Sequence, residues 1–130
     1  MPELIDSAIR KELKTRFAKG WIICIDCGTG WDEILATLHK EIIKVRPDYK
    51  LHQVKEKFGE LRFYVADDAH DAADDFINTL IEHAEAAAAT TCQYCGKPGE
   101  LRNNHGWLYT LCDTCQKDTQ TDALTNSSSG

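Results

Sequence analysis

Apolar residues recur at helical spacing in three stretches of the chain and alternate with polar ones in two others. Over residues 3–19, Leu4, Ile5, Ala8, Ile9, Leu13 and Phe17 share one face. Arg10, Lys11, Lys14 and Arg16 fall mostly on the other, which reads as a solvated outer surface, and Gly20 marks a stop. Residues 21–25 (Trp-Ile-Ile-Cys-Ile) form a short buried-strand candidate, and Asp26-Cys27-Gly28-Thr29-Gly30 is the turn leading out of it. A helix is expected over 31–45, with Ile34, Leu35, Leu38, Ile42 and Val45 on one side and Pro47 just past its end. A longer one is expected over 69–89, capped by Asp67 and Asp68, with Ala73, Phe76, Ile77, Leu80, Ile81, Ala84 and Ala88 turned inward.

Between these helices, residues 50–66 alternate as a β-hairpin. With Gly59-Glu60 as a type II′ turn, Phe58 faces Leu61, Lys57 faces Arg62, Glu56 faces Phe63, Lys55 faces Tyr64 and Val54 faces Val65. Val54, Phe58, Leu61, Phe63 and Val65 then point to the helices, and Gln53, Lys55, Lys57, Arg62 and Tyr64 point outward. Glu56 breaks the pattern as a carboxylate on the apolar face, and only real enclosure would make it a site.

The strongest chemical signal lies further on, where Cys92-Gln-Tyr-Cys95 and Cys112-Asp-Thr-Cys115 bracket sixteen residues. Two C-x-x-C pairs at this separation match a four-thiolate zinc site, because each pair folds as a tight knuckle that aims both sulfurs at one ion. Gly96 and Gly99 suit the knuckle turns, Leu101, Trp107, Leu108, Tyr109 and Leu111 supply an intervening hairpin, and a short helix is expected over 116–124. Four thiolates fill a tetrahedral shell and leave no position for water, so the zinc is expected to be structural. His105, between the knuckles, reads as a hairpin-tip residue. Cys24 and Cys27 repeat the spacing, but Cys24 falls within an apolar run; core, redox and second-metal roles stay open for this pair. Gly28-Thr-Gly30 lacks the lysine and longer glycine pattern of a phosphate loop and reads as a structural turn.

Length and charge narrow the reading. With 130 residues, 42% of them hydrophobic, the chain can bury one core with a small appendage. The expected architecture is α+β: helices on a small antiparallel sheet over 1–89, a treble-clef or ribbon-like finger over 90–120 packed on it, and a disordered tail over 121–130. No basic-then-apolar leader and no membrane-length run is evident, so a cytoplasmic setting is expected. The formal charge of −6 moves nearer −8 once a zinc ion with four thiolates contributes −2, which opposes nonspecific nucleic-acid binding.

The Cys27-Gly-Thr-Gly-Trp31 turn, the Lys57-Phe-Gly-Glu-Leu-Arg-Phe-Tyr64 hairpin, Cys92-x-Tyr-Cys-Gly and Trp107-x-x-Thr-Leu-Cys-x-x-Cys115 together resemble a group of small, uncharacterised proteins encoded by phages and prophages. In that group the hairpin turn usually looks like Gly-Gly, from which Glu60 departs. The resemblance implies a host-cell cytoplasm and interference with host machinery or defence; it names no activity.

No nucleophile with a base, open metal position or phosphate loop assembles from these residues, so a non-catalytic protein is expected. Three readings follow. One is an inhibitor or adaptor that meets a host protein through the acidic helix (Asp71, Asp74, Asp75, Glu82) and the finger. Another sequesters a small nucleotide-like anion on Lys55, Lys57, Arg62 and Tyr64, and a third binds nucleic acid through the finger. The alanine-rich end at 84–89 also suits packing against a second copy, which would make a homodimer.

Overall fold

A computed structural model describes residues 7–66 and 71–118. It is an α+β protein with two small sheets and a cysteine cluster near the C-terminal end. Leu4, Ile5, Asp67, Asp68 and the expected tail lie outside the described residues.

The first helix, α1 (Ala8–Lys14), is shorter than the periodicity suggests. Ser7 Oγ accepts the Arg10 N–H at 3.4 Å, and Thr15 closes the other end. Beyond it the backbone is taken by the sheet: Ala18 N–H donates to Leu51 O, and Leu51 N–H donates to Arg16 O. Phe17 bridges Leu51 as an edge residue instead of continuing the helix. Arg10 is not on a solvated face, for it is only 8% exposed. Its guanidinium donates to Asp32 Oδ1 (2.9 Å), Cys27 O (2.7 Å) and Ile25 O (3.4 Å). A charged group inside the fold requires such partners, and here it pins α1 to the turn that starts the next helix.

The expected buried strand over 21–25 shrinks to β1 (Ile25–Asp26). Ile22 is 84% exposed, and Ile23 and Cys24 are also exposed. The cause is a mismatch in length. Phe17 pairs with Leu51 and Ile25 with Val54, so eight positions on one side span three on the other and the excess bulges outward. Trp21, at the base of the bulge, stacks on His52 with ring centroids 4.2 Å apart.

A single 3-10 turn (Thr29–Trp31) leads into α2 (Asp32–Val45), which buries Leu35, Leu38 and Ile42. Next comes the hairpin of β2 (Leu51–Lys57) and β3 (Glu60–Val65), with β1 parallel to β2 on the opposite edge. The turn is Phe58-Gly59, not Gly59-Glu60: Lys57 pairs with Glu60, Glu56 with Leu61, Lys55 with Arg62 and Val54 with Phe63. Phe58 (φ 57°) and Gly59 (φ 79°) both take positive φ, as a type I′ turn demands. Moving the turn by one residue slips the register by two, and a two-residue slip leaves every side chain on its face. Only Phe58 changes role, leaving the apolar face for the exposed tip. A bulge between Leu51 and Gln53 turns Leu51 inward along with Val54.

α3 (Ala72–Ala88) starts at Asp71, which replaces Asp67 and Asp68 as the cap by accepting the Asp74 N–H at 3.0 Å. It buries Ile77, Ile81, Ala84 and Ala88, but Phe76, expected inside, is 52% exposed. Arg46, just past α2, reaches Asp71 and Asp74 at the start of α3, so the two helices run antiparallel. Glu85 accepts the Phe63 N–H at 3.4 Å, which covers the edge of β3. The finger hairpin, β4 (Glu100–Asn104) and β5 (Trp107–Leu111), follows, and residues 113–118 are helical, starting before Cys115 instead of after it.

Candidate metal centre

The chain folds twice into the same local device. After α3, residues 92–96 make a tight turn closed by the Gly96 N–H on Cys92 O at 2.9 Å, with Gly96 at φ 82°. After β5, the chain turns at Cys112 into the helical residues 113–118, and the Cys115 N–H points to Cys112 Sγ at 3.4 Å. The hairpin between them, turned at His105 (φ 56°) and Gly106 (φ 90°), brings the two turns together. Arg102 donates to Leu111 O and pairs with Asp113 at 2.7 Å, and the Asn104 and Gln116 side-chain amides bond reciprocally. The final helix is thereby tied to the hairpin.

The result is one cluster in which the sulfurs of Cys92, Cys95, Cys112 and Cys115 all lie within 4.8 Å of one another, with Cys95 and Cys112 at 3.5 Å. Thiolates on a tetrahedral ion at about 2.3 Å stand about 3.8 Å apart, so the four residues can hold a metal ion. The electrostatics agree. Burial pushes the Cys92 thiol up, but backbone N–H groups of Cys112, Cys95 and Tyr94 outweigh it and bring it down to about 6. The Cys115 N–H lowers Cys112, while burial and the neighbouring sulfurs raise Cys115. Sulfurs that already receive N–H donors are prepared for negative charge, and a cation displaces the remaining protons. His105 is exposed at the hairpin tip, and among the described residues no fifth group joins the cluster.

Cys24 and Cys27 form no such set. Cys24 is exposed, and Cys27 lies beside Arg10 with its thiol raised to about 11 by burial, partly offset by that guanidinium. A raised pKa leaves little thiolate for redox chemistry.

Gly28 and Gly30 make no anion cradle because the first knuckle occupies their surface. The Gly30 N–H donates to Gln93 O at 3.0 Å, and the buried indole of Trp31 donates to Thr91 O at 2.9 Å. Two residues that gave no signal by themselves complete the joint. Thr110 Oγ donates to Gly59 O at 2.7 Å, and the Gln93 side chain accepts the Thr110 N–H at 2.9 Å. The pointer available in the sequence was the pair of glycines two apart, which marks close backbone approach as readily as a turn.

The outer face of the β2–β3 hairpin carries Lys55, Lys57, Arg62 and Tyr64 as expected, with Lys55 paired to Arg62 across the strands and Lys57 to Glu60. Arg62 pairs with Glu60 at 2.8 Å, and the cleft of about 360 Å³ beside it is lined by Glu60, Arg62, Tyr64 and Glu85. The Lys57 ammonium sits over the Phe58 ring at 5.6 Å, and Lys55 is opposite Asp26 of β1. Glu56 stays on the apolar face, half-buried, and accepts the Gly59 N–H at 2.7 Å, so it serves the turn.

Of the acidic set, Asp74 is buried and Asp71 is engaged as cap and ion pair, with its carboxyl held below the usual range by the Asp74 N–H and Arg46. Asp74 faces into the molecule, whereas Asp71 is exposed but tied to Arg46, and Asp75 and Glu82 are exposed on α3. Between α2 and α3 a groove of about 400 Å³ is lined by Ile34, Leu38, Leu80 and Ala84, with Glu33, Glu41 and His83 beside them. No helix among the described residues is long and apolar enough to cross a membrane. Comparisons of the chain with protein-family models, with curated proteins and with solved structures return no match, so the functional reading rests on these residues.

Proposed function

We propose that this chain is a non-catalytic zinc protein that acts by binding another protein. The observation that carries the reading is the closed set of four cysteine sulfurs within 4.8 Å. All-thiolate donors favour zinc over the oxygen-seeking cations, and a filled tetrahedral shell holds structure without activating water. Cys92, Cys95, Cys112 and Cys115 are the ligands.

Support for a protein partner comes from the surface of the helical layer. The α2–α3 groove is mainly apolar with Glu33 and Glu41 in its lining, half-exposed Phe76 stands one turn before Leu80 on α3, and that helix carries no lysine or arginine. An apolar groove with acidic neighbours suits a basic, amphipathic partner surface. The resemblance to phage and prophage proteins makes a host protein the natural partner, in the host cytoplasm. The two other readings have less behind them: Glu60 and Glu85 beside Arg62 oppose a nucleotide-like anion, and the net charge of −6 opposes a nucleic acid.

Native mass spectrometry before and after denaturation tests the first half. One zinc per chain and no other retained mass is the expected result; metal-replete protein without zinc removes the premise, and a retained small molecule redirects the function to sequestration. For the second half, the wild type and Phe76→Asp are compared as bait in the host lysate. A partner held equally by both does not use this surface.

A further inference from the structure

The geometry points to a latch: metal loading and docking of the finger on the body are one linked event, joined through Gly28, Gly30 and Gly59. The inference rests on the metal reading above and concerns how that centre is controlled. Two clamps hold the finger. At the first, a Cβ on Gly28 would stand 2.0 Å from Gln93 O and one on Gly30 would stand 2.2 Å from Cys92 O. Backbone meets backbone there, so neither side can yield, and Trp31 adds its indole bond to Thr91 O. At the second, a Cβ on Gly59 would meet Leu101 Cδ1 at 2.6 Å, while Thr110 Oγ bonds Gly59 O.

Each clamp belongs to a different knuckle. Cys92 is part of the first, and Thr110 lies two residues before Cys112 in the second. Besides the metal cluster, Gln93 spans them: its side chain accepts the Thr110 N–H and its own N–H donates to Thr110 O, both at 2.9 Å. A metal that fixes the two knuckles relative to each other therefore also fixes the two clamps relative to the body. By linkage the effect is reciprocal, so a docked finger binds metal more tightly than an undocked one. The finger has little else to hold it, since its buried apolar set is Cys92, Leu111 and Cys112, whereas the body has a continuous core of its own. Loss of metal releases the finger, frees the Trp31 indole from Thr91 and uncovers the 28–30 turn and the hairpin tip, while α2, α3 and the three-stranded sheet persist.

The test keeps all four cysteines. Zinc affinity is measured by chelator competition, and the Trp31 indole N–H is followed by NMR, for wild type, Gly30→Ala, Thr110→Val and the body control Ile42→Val. Gly30→Ala is expected to weaken zinc binding by about ten- to a hundredfold and Thr110→Val by less, with Ile42→Val unchanged, in the range of ordinary coupling between sites. Removing zinc from wild type should shift the Trp31 indole signal and leave the body helices intact by circular dichroism. If wild type takes no zinc, the metal reading itself fails. If wild type binds zinc but Gly30→Ala binds it equally, or Ile42→Val weakens binding as much, the latch is overturned and the metal reading survives. Should Gly30→Ala not fold, an unchanged zinc affinity in Thr110→Val overturns the latch as well.

Discussion

The body and the finger of this protein are stabilised by different physics. Leu13, Trp31, Leu35, Ile42, Leu51 and Phe63 are completely or almost completely buried in one contiguous cluster, so the body is held by removal of apolar surface from water. The apolar groups that the finger buries are two cysteines and a leucine, and its largest side chain, Trp107, is 70% exposed. A segment that buries so little cannot offset the entropy of ordering its backbone and needs a cross-link. The difference is that one region is held by packing volume, while the other is held by contacts at Gly28, Gly30 and Gly59 and carries four sulfurs placed to hold a metal ion.

The largest break in the comparison should come from the metal. Chelation, or Cys112→Ser, is expected to take the zinc count from one to none, forfeiting a contribution of about 10–16 kcal/mol typical of such sites. Hydrogen exchange should then accelerate over residues 92–112 and stay slow in the buried face of α2; uniform acceleration would mean the two regions are one unit after all.

A smaller break comes from packing. Leu35→Ala should cost about 2–5 kcal/mol by urea denaturation, whereas the exposed Trp107→Ala should stay within about 0.5 kcal/mol. Equal costs would show that the finger hairpin packs as the body does.

Next is the ion pairing that joins α2 to α3. Arg46→Ala leaves the buried Asp74 without this partner and should lower the urea midpoint more than Asp71→Asn does, because Asp71 is exposed. Asp71 adds a pH signature. Its carboxyl is depressed in the fold, so its contribution is present above the unfolded carboxylate value and is lost as pH falls through the lowered one. Asp71→Asn should flatten that part of an acid titration.

The smallest effect is at His39, on the body side only. Burial and the Arg16 charge lower its pKa from the ordinary 6.5, so the unfolded chain binds the proton first and stability declines as pH falls below that value. His39→Gln should remove this slope without changing metal content, and a slope that persists belongs to other groups.

The sequence by itself determined the pieces whose signal is local. The doubled C-x-x-C named all four sulfurs of the cluster, because ligand spacing within a knuckle is set by neighbouring residues. The period of α2 and the faces of the hairpin were likewise legible, since burial imposes 3.6 and 2 on residues close in sequence. The hairpin register was not, because a two-residue slip preserves the faces; Glu56 on the Gly59 N–H and the finger against Gly59 favour the observed turn. Only the tertiary structure decided that Arg10 is inside, since its acceptors lie 15 to 22 residues away. It decided that Asp74 is buried against Arg46, and that Phe76 stays half-exposed. It also turned Gly28 and Gly30 from a bend into a docking surface. A glycine shows nothing of what will approach it, because its role is the missing Cβ, and only the fold supplies the backbone that fills that space.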